Sequence, residues 1–185
     1  MNKRILFIVD NNFFLKKYNG THLPVLSIIK HLESLQNVEF EICYENEGQI
    51  NGALRLSCRE NKLAALSRGY LPSTLLLKNT YESNYDVIVC MTERYINVAN
   101  SLRDHRKTKT VLIANEPYWT VPFNKVLNRP FLIYQYFVLI MVYMLENIYL
   151  RKVDHIFVQS EFEMKRYKYM INRSILRKLL IHTNV

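Results

Sequence analysis

The sequence predicts an α/β protein with a Rossmann-like, doubly wound parallel sheet. Two observations predict it. Short, continuously apolar runs recur along the chain, as expected of strands that are covered on both faces. Helical patterns with short connections follow several of these runs, which is the order of βαβ units. The length of 185 residues, with 49% hydrophobic and 22% charged residues, is ordinary for one globular domain.

The first predicted unit is a strand, a polar loop and a helix. Residues 5–9 are apolar and mostly branched, which favours a buried strand. From Leu23 onward, apolar side chains recur with helical spacing, and Pro24 stands near the helix start, where its missing N–H costs little. Residues 38–45 form the second predicted strand. The region 46–84 is less regular: residues 59–70 fit a helix ended by Gly69, and residues 73–79 fit strand or helix equally.

The second half of the chain continues the alternation of strand and helix. We expect Thr92 to cap a helix that follows a buried strand. The predicted elements are a strand at 85–91, a helix at 92–105, a strand at 109–115, a loop with some helical turn at 121–130, a helix at 131–151, a strand at 154–160, a helix at 161–174 and a last strand from 179.

Net charge and cysteine usage limit the partners and the compartment. The formal charge of +9 fits an anionic partner such as nucleic acid, phospholipid head groups or a phosphate-bearing ligand, and it equally fits a solvated basic surface. There is no zinc-finger spacing or RNA-binding aromatic signature, so we expect no nucleic acid partner. Cys43, Cys58 and Cys90 are widely spaced and predict neither a disulfide framework nor a metal site. We expect a reducing, cytoplasmic environment.

Polar residues follow the predicted strands, where a doubly wound sheet binds its ligands. These polar ends are Asp10–Asn12, Met91–Glu93, Asn115–Trp119 and Ser160–Glu161.

The loop after the first strand holds Asn19, Gly20 and Thr21. In a doubly wound fold this loop commonly faces an anion, because N–H groups at the helix start point toward it and glycine permits close approach. Lys16 and Lys17 add positive charge nearby. The loop is neither a G-x-G-x-x-G fingerprint nor a Walker loop, so from these residues alone a plain turn is as good an interpretation.

Several segments together resemble the N-terminal domain of GT-B glycosyltransferases, in particular the retaining enzymes of family 4. They are "RILFIVD" with "NGTHLPVLSIIKHLESL", "YDVIVCM", "VLIANEPYW" and, most specifically, "RKVDHIFVQSEFE", with Asp154, Ser160 and Glu161 in place. The resemblance covers nearly the whole chain. It departs at Asn19, where most members have a second glycine, and at Asn115, where many have a histidine.

The resemblance implies a chain, residues 1–185, that forms the acceptor-side half of a hexosyltransferase of polysaccharide or cell-envelope biosynthesis. A C-terminal half, in cis or in trans, would hold most of the nucleotide-sugar donor, and this chain alone would be inactive. No cofactor or metal is implied, since the nucleotide sugar is a substrate, and no catalytic residue is assigned. The loop residues Asn19, Gly20 and Thr21 would touch the donor phosphates. The residues implied to bind a glycan or lipid-linked acceptor are Asn12, Glu93, Asn115, Glu116, Trp119, Ser160 and Glu161.

Other interpretations remain open at this point. The chain could be a non-catalytic α/β binding or regulatory module, or a response-regulator or nucleotide-binding protein, although Asp10 alone does not make the acidic pocket of the latter. Ser160 with Glu161 could be a catalytic pair, but a helix cap is the commoner role. His22 could reach a phosphate, but a solvated loop histidine is commoner.

The predicted helix at 131–152 raises the question of a membrane. The apolar run 131–145 contains Gln135 and is shorter than the roughly 20 residues that span a bilayer. A buried core helix, an interfacial helix on an anionic membrane and a spanning helix are the three interpretations. The second would place the protein at the inner face of the membrane, as a peripheral cytoplasmic protein.

Overall fold

A computed structural model describes residues 2–16, 22–46, 49–52, 56–57, 84–104, 107–114, 120–128, 133–169, 175 and 177–181. Its strands are β1 (Lys3–Asp10), β2 (Val38–Asn46), β3 (Gln49–Gly52), β4 (Leu56–Ser57), β5 (Val87–Cys90), β6 (Lys109–Ala114), β7 (His155–Val158) and β8 (Leu179–Ile181). Its helices are α1 (Asn11–Phe14), α2 (Leu23–Glu33), α3 (Ile96–Leu102), which follows a 3₁₀ turn at Glu93–Tyr95, α4 (Thr120–Asn128), α5 (Ile133–Leu150) and α6 (Glu161–Tyr167).

The strands form one sheet in the order β4-β3-β2-β1-β5-β6-β7-β8. Neighbours from β2 through β8 in this order pair in parallel, whereas β3 and β4 extend the β2 edge in antiparallel fashion. The predicted Rossmann-like α/β fold is therefore confirmed, with an antiparallel extension that the sequence did not predict.

Helices cover both faces of the sheet, as the alternation of side chains along the strands requires. On one face Phe7 and Val9 of β1 pack with Val25 and Ile29 of α2. On the other face the adjacent β1 residues, Leu6 and Ile8, belong to the larger core. That core also contains side chains of β5, β6 and β7 and of α3, α5 and α6. The continuous apolar run of β1 is thus explained by burial on both faces.

The change of face locates the topological switch point. The chain leaves β1 through α2 toward β2 on one side, and it leaves β5 through α3 toward β6 on the other. The crossover helices diverge between the adjacent strands β1 and β5. In open α/β sheets ligands bind in the crevice at such a point, outside the carboxyl ends of the strands.

Three predicted elements need correction. Residues 120–128 form α4, where a loop with some helical turn was expected. The helix expected at 92–105 begins as a 3₁₀ turn and its α-helical part is Ile96–Leu102. The last helix ends at Tyr167 and is followed by a turn at 168–169, so it is shorter than the predicted 161–174. The predicted helix with Gly69, the ambiguous stretch 73–79 and Cys58 lie outside the described residues.

Candidate functional site

The predicted polar ends of the strands lie at one edge of the sheet. The register pairs Ile8 with Cys90, Cys90 with Leu112, and Ala114 with Val158. The strands β1, β5, β6 and β7 are adjacent and parallel, so the residues that follow them emerge on the same side. This edge, at the carboxyl ends of these strands, is called the ligand edge below.

At the end of β1, Asp10 anchors the start of α2. Its Oδ1 accepts a hydrogen bond from the Phe13 N–H at 2.9 Å and lies 3.0 Å from His22 Nε2. The His22 side chain is 0% exposed, whereas that of Asp10 is 33% exposed. The Phe13 ring lies beside the imidazole, with 5.8 Å between centroids. The expectation of a solvated loop histidine is therefore wrong: burial of His22 is compensated by a carboxylate partner.

A left-handed residue precedes the predicted phosphate loop. Lys16 has φ of +57°, and its N–H donates to the Phe13 carbonyl at 3.1 Å. Only glycine, and to a lesser degree Asn or Asp, adopts this region without steric cost. The chain therefore leaves α1 through a strained turn at the ligand edge.

At the end of β5, the candidate Glu93 faces inward. It is 4% exposed and accepts a hydrogen bond from the hydroxyl of Tyr167, itself 0% exposed, at 3.0 Å. This bond links the 3₁₀ turn to α6. Burial, with a smaller contribution from the nearby Glu93 carboxylate, raises the pKa of the Cys90 thiol far above its ordinary value.

Thr92 occupies the N-cap position before Glu93, with extended backbone angles, but its hydroxyl makes no capping bond. Its Oγ1 is buried without a hydrogen-bond partner. The predicted capping role of the Thr92 side chain is therefore wrong.

At the end of β7, Ser160 caps α6. Its Oγ accepts from the Glu163 N–H at 3.2 Å, and Glu163 Oε2 accepts from the N–H groups of Gln159, at 2.7 Å, and of Ser160, at 3.2 Å. This is a complete capping box. The helix-cap interpretation of Ser160 is confirmed, and its hydroxyl oxygen is occupied by the cap. Glu161, the first residue of α6, is exposed at the ligand edge.

The structure brings part of the predicted site together. Asn12 is exposed just beyond β1, at the switch point, and Glu161 is exposed beyond β7. Glu93 lies between them in the sheet order but is turned toward the core. The remaining predicted residues, Asn19, Gly20, Thr21, Asn115, Glu116 and Trp119, lie outside the described residues.

Sequence reasoning missed two contacts at this edge, Asp10 with His22 and Glu93 with Tyr167. The first joins residues on either side of the loop, and the second joins residues 74 positions apart. A polar residue directly after a strand was the available signal for Asp10. No local pattern marks the partner, because a hydrogen bond across the fold leaves no trace in spacing.

A network of charged and polar side chains with a structural role lies on the side of the sheet opposite the ligand edge, toward the amino ends of the strands. Glu41 accepts from the Tyr85 hydroxyl at 2.6 Å and from the Arg4 guanidinium at 3.0 Å, and that guanidinium stacks on the Tyr85 ring. Burial, followed by the hydrogen bond to Glu41, raises the pKa of Tyr85 far above its ordinary value. These residues lie in the amino-terminal halves of β1 and β2 and just before β5, away from the edge where such sheets bind ligands.

Within the described residues, no group of three or more His, Cys, Asp or Glu side chains is arranged to hold a metal ion.

Neither a scan against models of protein families nor a search of curated proteins finds a match to this chain. The Rossmann-like fold is therefore shown by the structure alone.

Proposed function

We propose that the chain is the acceptor-side half of a GT-B glycosyltransferase, similar to the retaining enzymes of family 4. It transfers a sugar from a nucleotide-sugar donor once a C-terminal donor-binding half, in cis or in trans, closes the crevice. The observation that carries the proposal is the ligand edge. Exposed polar side chains follow β1 and β7, and the switch point lies between β1 and β5, which is where a doubly wound domain binds its ligands.

The Asp10–His22 contact supports a donor-facing role for the loop between them. It fixes the start of α2 against the end of β1, so the chain between Lys16 and His22 begins and ends at the switch point. The positive end of a helix dipole and backbone N–H groups favour an anion there. In this proposal Asn19, Gly20 and Thr21 contact the donor phosphates.

Exposed carboxylate and amide side chains suit sugar hydroxyls, because each offers acceptors, and the amide also offers donors. Asn12 and Glu161 are the described residues of this kind at the ligand edge. Asn115, Glu116 and Trp119 would complete the acceptor surface, with the indole stacking on a sugar ring. In this proposal no metal or cofactor takes part, and the protein works in the cytoplasm.

A non-catalytic binding or regulatory module is the second candidate function. A specific observation favours it: Glu93 and Ser160, two of the predicted ligand-binding residues, have polar atoms committed to Tyr167 and to the α6 cap. A binding module needs a crevice but no catalytic groups, so these internal bonds do not count against it.

The single tryptophan, Trp119, provides a direct test of acceptor binding. The purified chain is titrated with a panel of oligosaccharides while tryptophan emission is recorded, and the proposal predicts saturable quenching by at least one of them. Replacing Glu161 by alanine removes one hydrogen bond to ligand and weakens this binding about tenfold. Glu33→Ala, exposed on α2 at the other edge, is the matched control and leaves binding unchanged.

Transfer itself is tested by co-expression with the reading frame that follows in the genome, and assay with a panel of nucleotide sugars. The proposal predicts transfer by the pair and none by this chain alone. Saccharide binding without transfer by the pair favours the module. No saccharide binding and no transfer refutes the proposed function.

A further inference from the structure

Helix α5 presents an apolar face to solvent. Large side chains recur on one side of it every three or four residues, which places them in a single stripe. Their exposed fractions are 83% for Ile133, 65% for Phe137, 59% for Ile140, 58% for Met144 and 48% for Ile148. These five residues are called the outward face of α5.

The distribution of polar and apolar side chains on α5 is the opposite of that on an ordinary surface helix, whose charged side chains face solvent. Glu146 is its one charged residue, and it is 2% exposed. Asn147 is 6% exposed, and its amide donates to the Tyr143 carbonyl at 2.8 Å. The helix thus buries its most polar side chains and exposes its Ile, Phe and Met side chains. In water this arrangement leaves apolar area uncovered, which points to an apolar surface that covers it.

The inner side of α5 is docked on the domain. Leu150 is fully buried in the larger core, and Tyr143 and Tyr149 pack against that core. The hydroxyl of Tyr143 donates to the carbonyl of Tyr169, just beyond α6, at 2.6 Å. By length and composition alone α5 qualifies as a membrane-crossing helix, but 33% of it is buried inside the fold. If α5 crossed a bilayer, its inner side would have to separate from the core of the domain. If α5 lies along the membrane surface, its inner side stays packed on that core.

Basic and aromatic residues lie on α5, directly after it, or on α6 and the turn after it, which the Tyr143–Tyr169 hydrogen bond joins to α5. Arg151 and Lys152 follow the end of α5, and both are exposed. Lys165 and Lys168 are exposed on the neighbouring helix α6 and the turn after it. Three of the tyrosines of the region are exposed at 43% or more, namely Tyr134, Tyr136 and Tyr169. Tyrosine and basic side chains are characteristic of segments that lie in the head-group region of a membrane.

We propose that the outward face of α5 inserts into the interface of an anionic lipid membrane, with α5 lying in the membrane plane. Charge selects this occupant over a second copy of the chain. Two copies carry a formal charge of +9 each and repel, whereas an anionic bilayer attracts every basic residue near it. The inference rests on α5 and its surroundings and does not depend on the proposed function.

Vesicle flotation at low salt tests the proposal. The full chain is mixed with phosphatidylcholine vesicles that contain, or lack, about one third phosphatidylglycerol. We expect flotation with the anionic vesicles and at least tenfold less with the neutral ones. The double variant Phe137→Gln/Ile140→Gln should weaken binding at least tenfold. The control Leu23→Gln/Leu35→Gln changes two exposed leucines, one at the start of α2 and one just after its end, and should bind as the unmodified chain does.

Two further measurements make each outcome decisive. Near-UV circular dichroism shows that the variants are folded, as expected for exposed positions. Sedimentation velocity without lipid reports self-association. Absence of flotation, equal flotation of both double variants, or equal binding to neutral vesicles overturns the proposal. A dimer that the outward-face variant dissociates, with no vesicle binding, assigns the face to a second copy and also overturns it.

Discussion

Ser160→Ala separates a structural role of this residue from a ligand-binding one. The substitution removes the Oγ that accepts from the Glu163 N–H at 3.2 Å. Loss of a serine N-cap costs about 1 kcal/mol, within a range of roughly 0.5–2 kcal/mol. The other half of the box stays, because the Glu163 carboxylate still accepts from the N–H groups of Gln159 and residue 160. For a domain of this size the loss lowers Tm by about 2–4 °C.

Urea unfolding, followed by circular dichroism, measures this cost. Ser160→Thr retains a hydroxyl and should recover most of the stability, while Glu161→Ala, next in sequence but exposed and outside the box, should change it by less than about 0.5 kcal/mol. If Ser160 acts only as a cap, the folded Ser160→Ala variant, which lacks the hydroxyl, still retains saccharide binding in the tryptophan titration. An unchanged free energy of unfolding in Ser160→Ala, or loss of binding in that variant while it is folded, would refute this reasoning.

Three further outcomes are expected. Lys16→Gly should stabilise the protein by about 1 kcal/mol by relieving the left-handed backbone, whereas Lys30→Gly, inside α2, should destabilise it by a similar amount; thermal unfolding of both variants compares them. The N–H of Arg4 holds the pKa of Asp86 below its ordinary value, so Asp86 contributes stability above the unfolded pKa near 4 that is lost as pH falls through the lower folded pKa. Asp86→Asn should therefore lower the urea midpoint at pH 7 and converge with the unmodified protein near pH 2, and a constant difference across this range would contradict the assignment. Burial raises the pKa of the Cys90 thiol, so a maleimide should not label Cys90 in the native protein over hours, nor the buried Cys43, whereas both should react in urea. Peptide mapping by mass spectrometry measures the labelling. Rapid labelling of Cys90 in the native protein would show that the end of β5 is accessible to solvent.

For much of the candidate site, the sequence predicted where the strands and helices end but not where the side chains at those ends point. The strands at 5–9 and 85–91 and the cap at Ser160 were predictable, because burial on both faces and the capping box are local patterns. The contacts of the side chains at the ligand edge were not predictable from the sequence. The buried His22 contacts the carboxylate of Asp10 at the end of β1, and Glu93 faces inward and accepts a hydrogen bond from the hydroxyl of Tyr167. In both cases the partner belongs to another element of the fold.

The sequence by itself determined the class of the fold and the position of most elements, since period and apolar content are properties of neighbouring residues. Only the tertiary structure decided the order of the strands, the switch point between β1 and β5, and the antiparallel edge. It also decided which side of α5 faces out. In a helix that is apolar on nearly every side, the sequence pattern does not indicate which side is buried. The packing of the helix on the rest of the fold determines it. Here that selection buried Glu146 and left Phe137 and Ile140 in water.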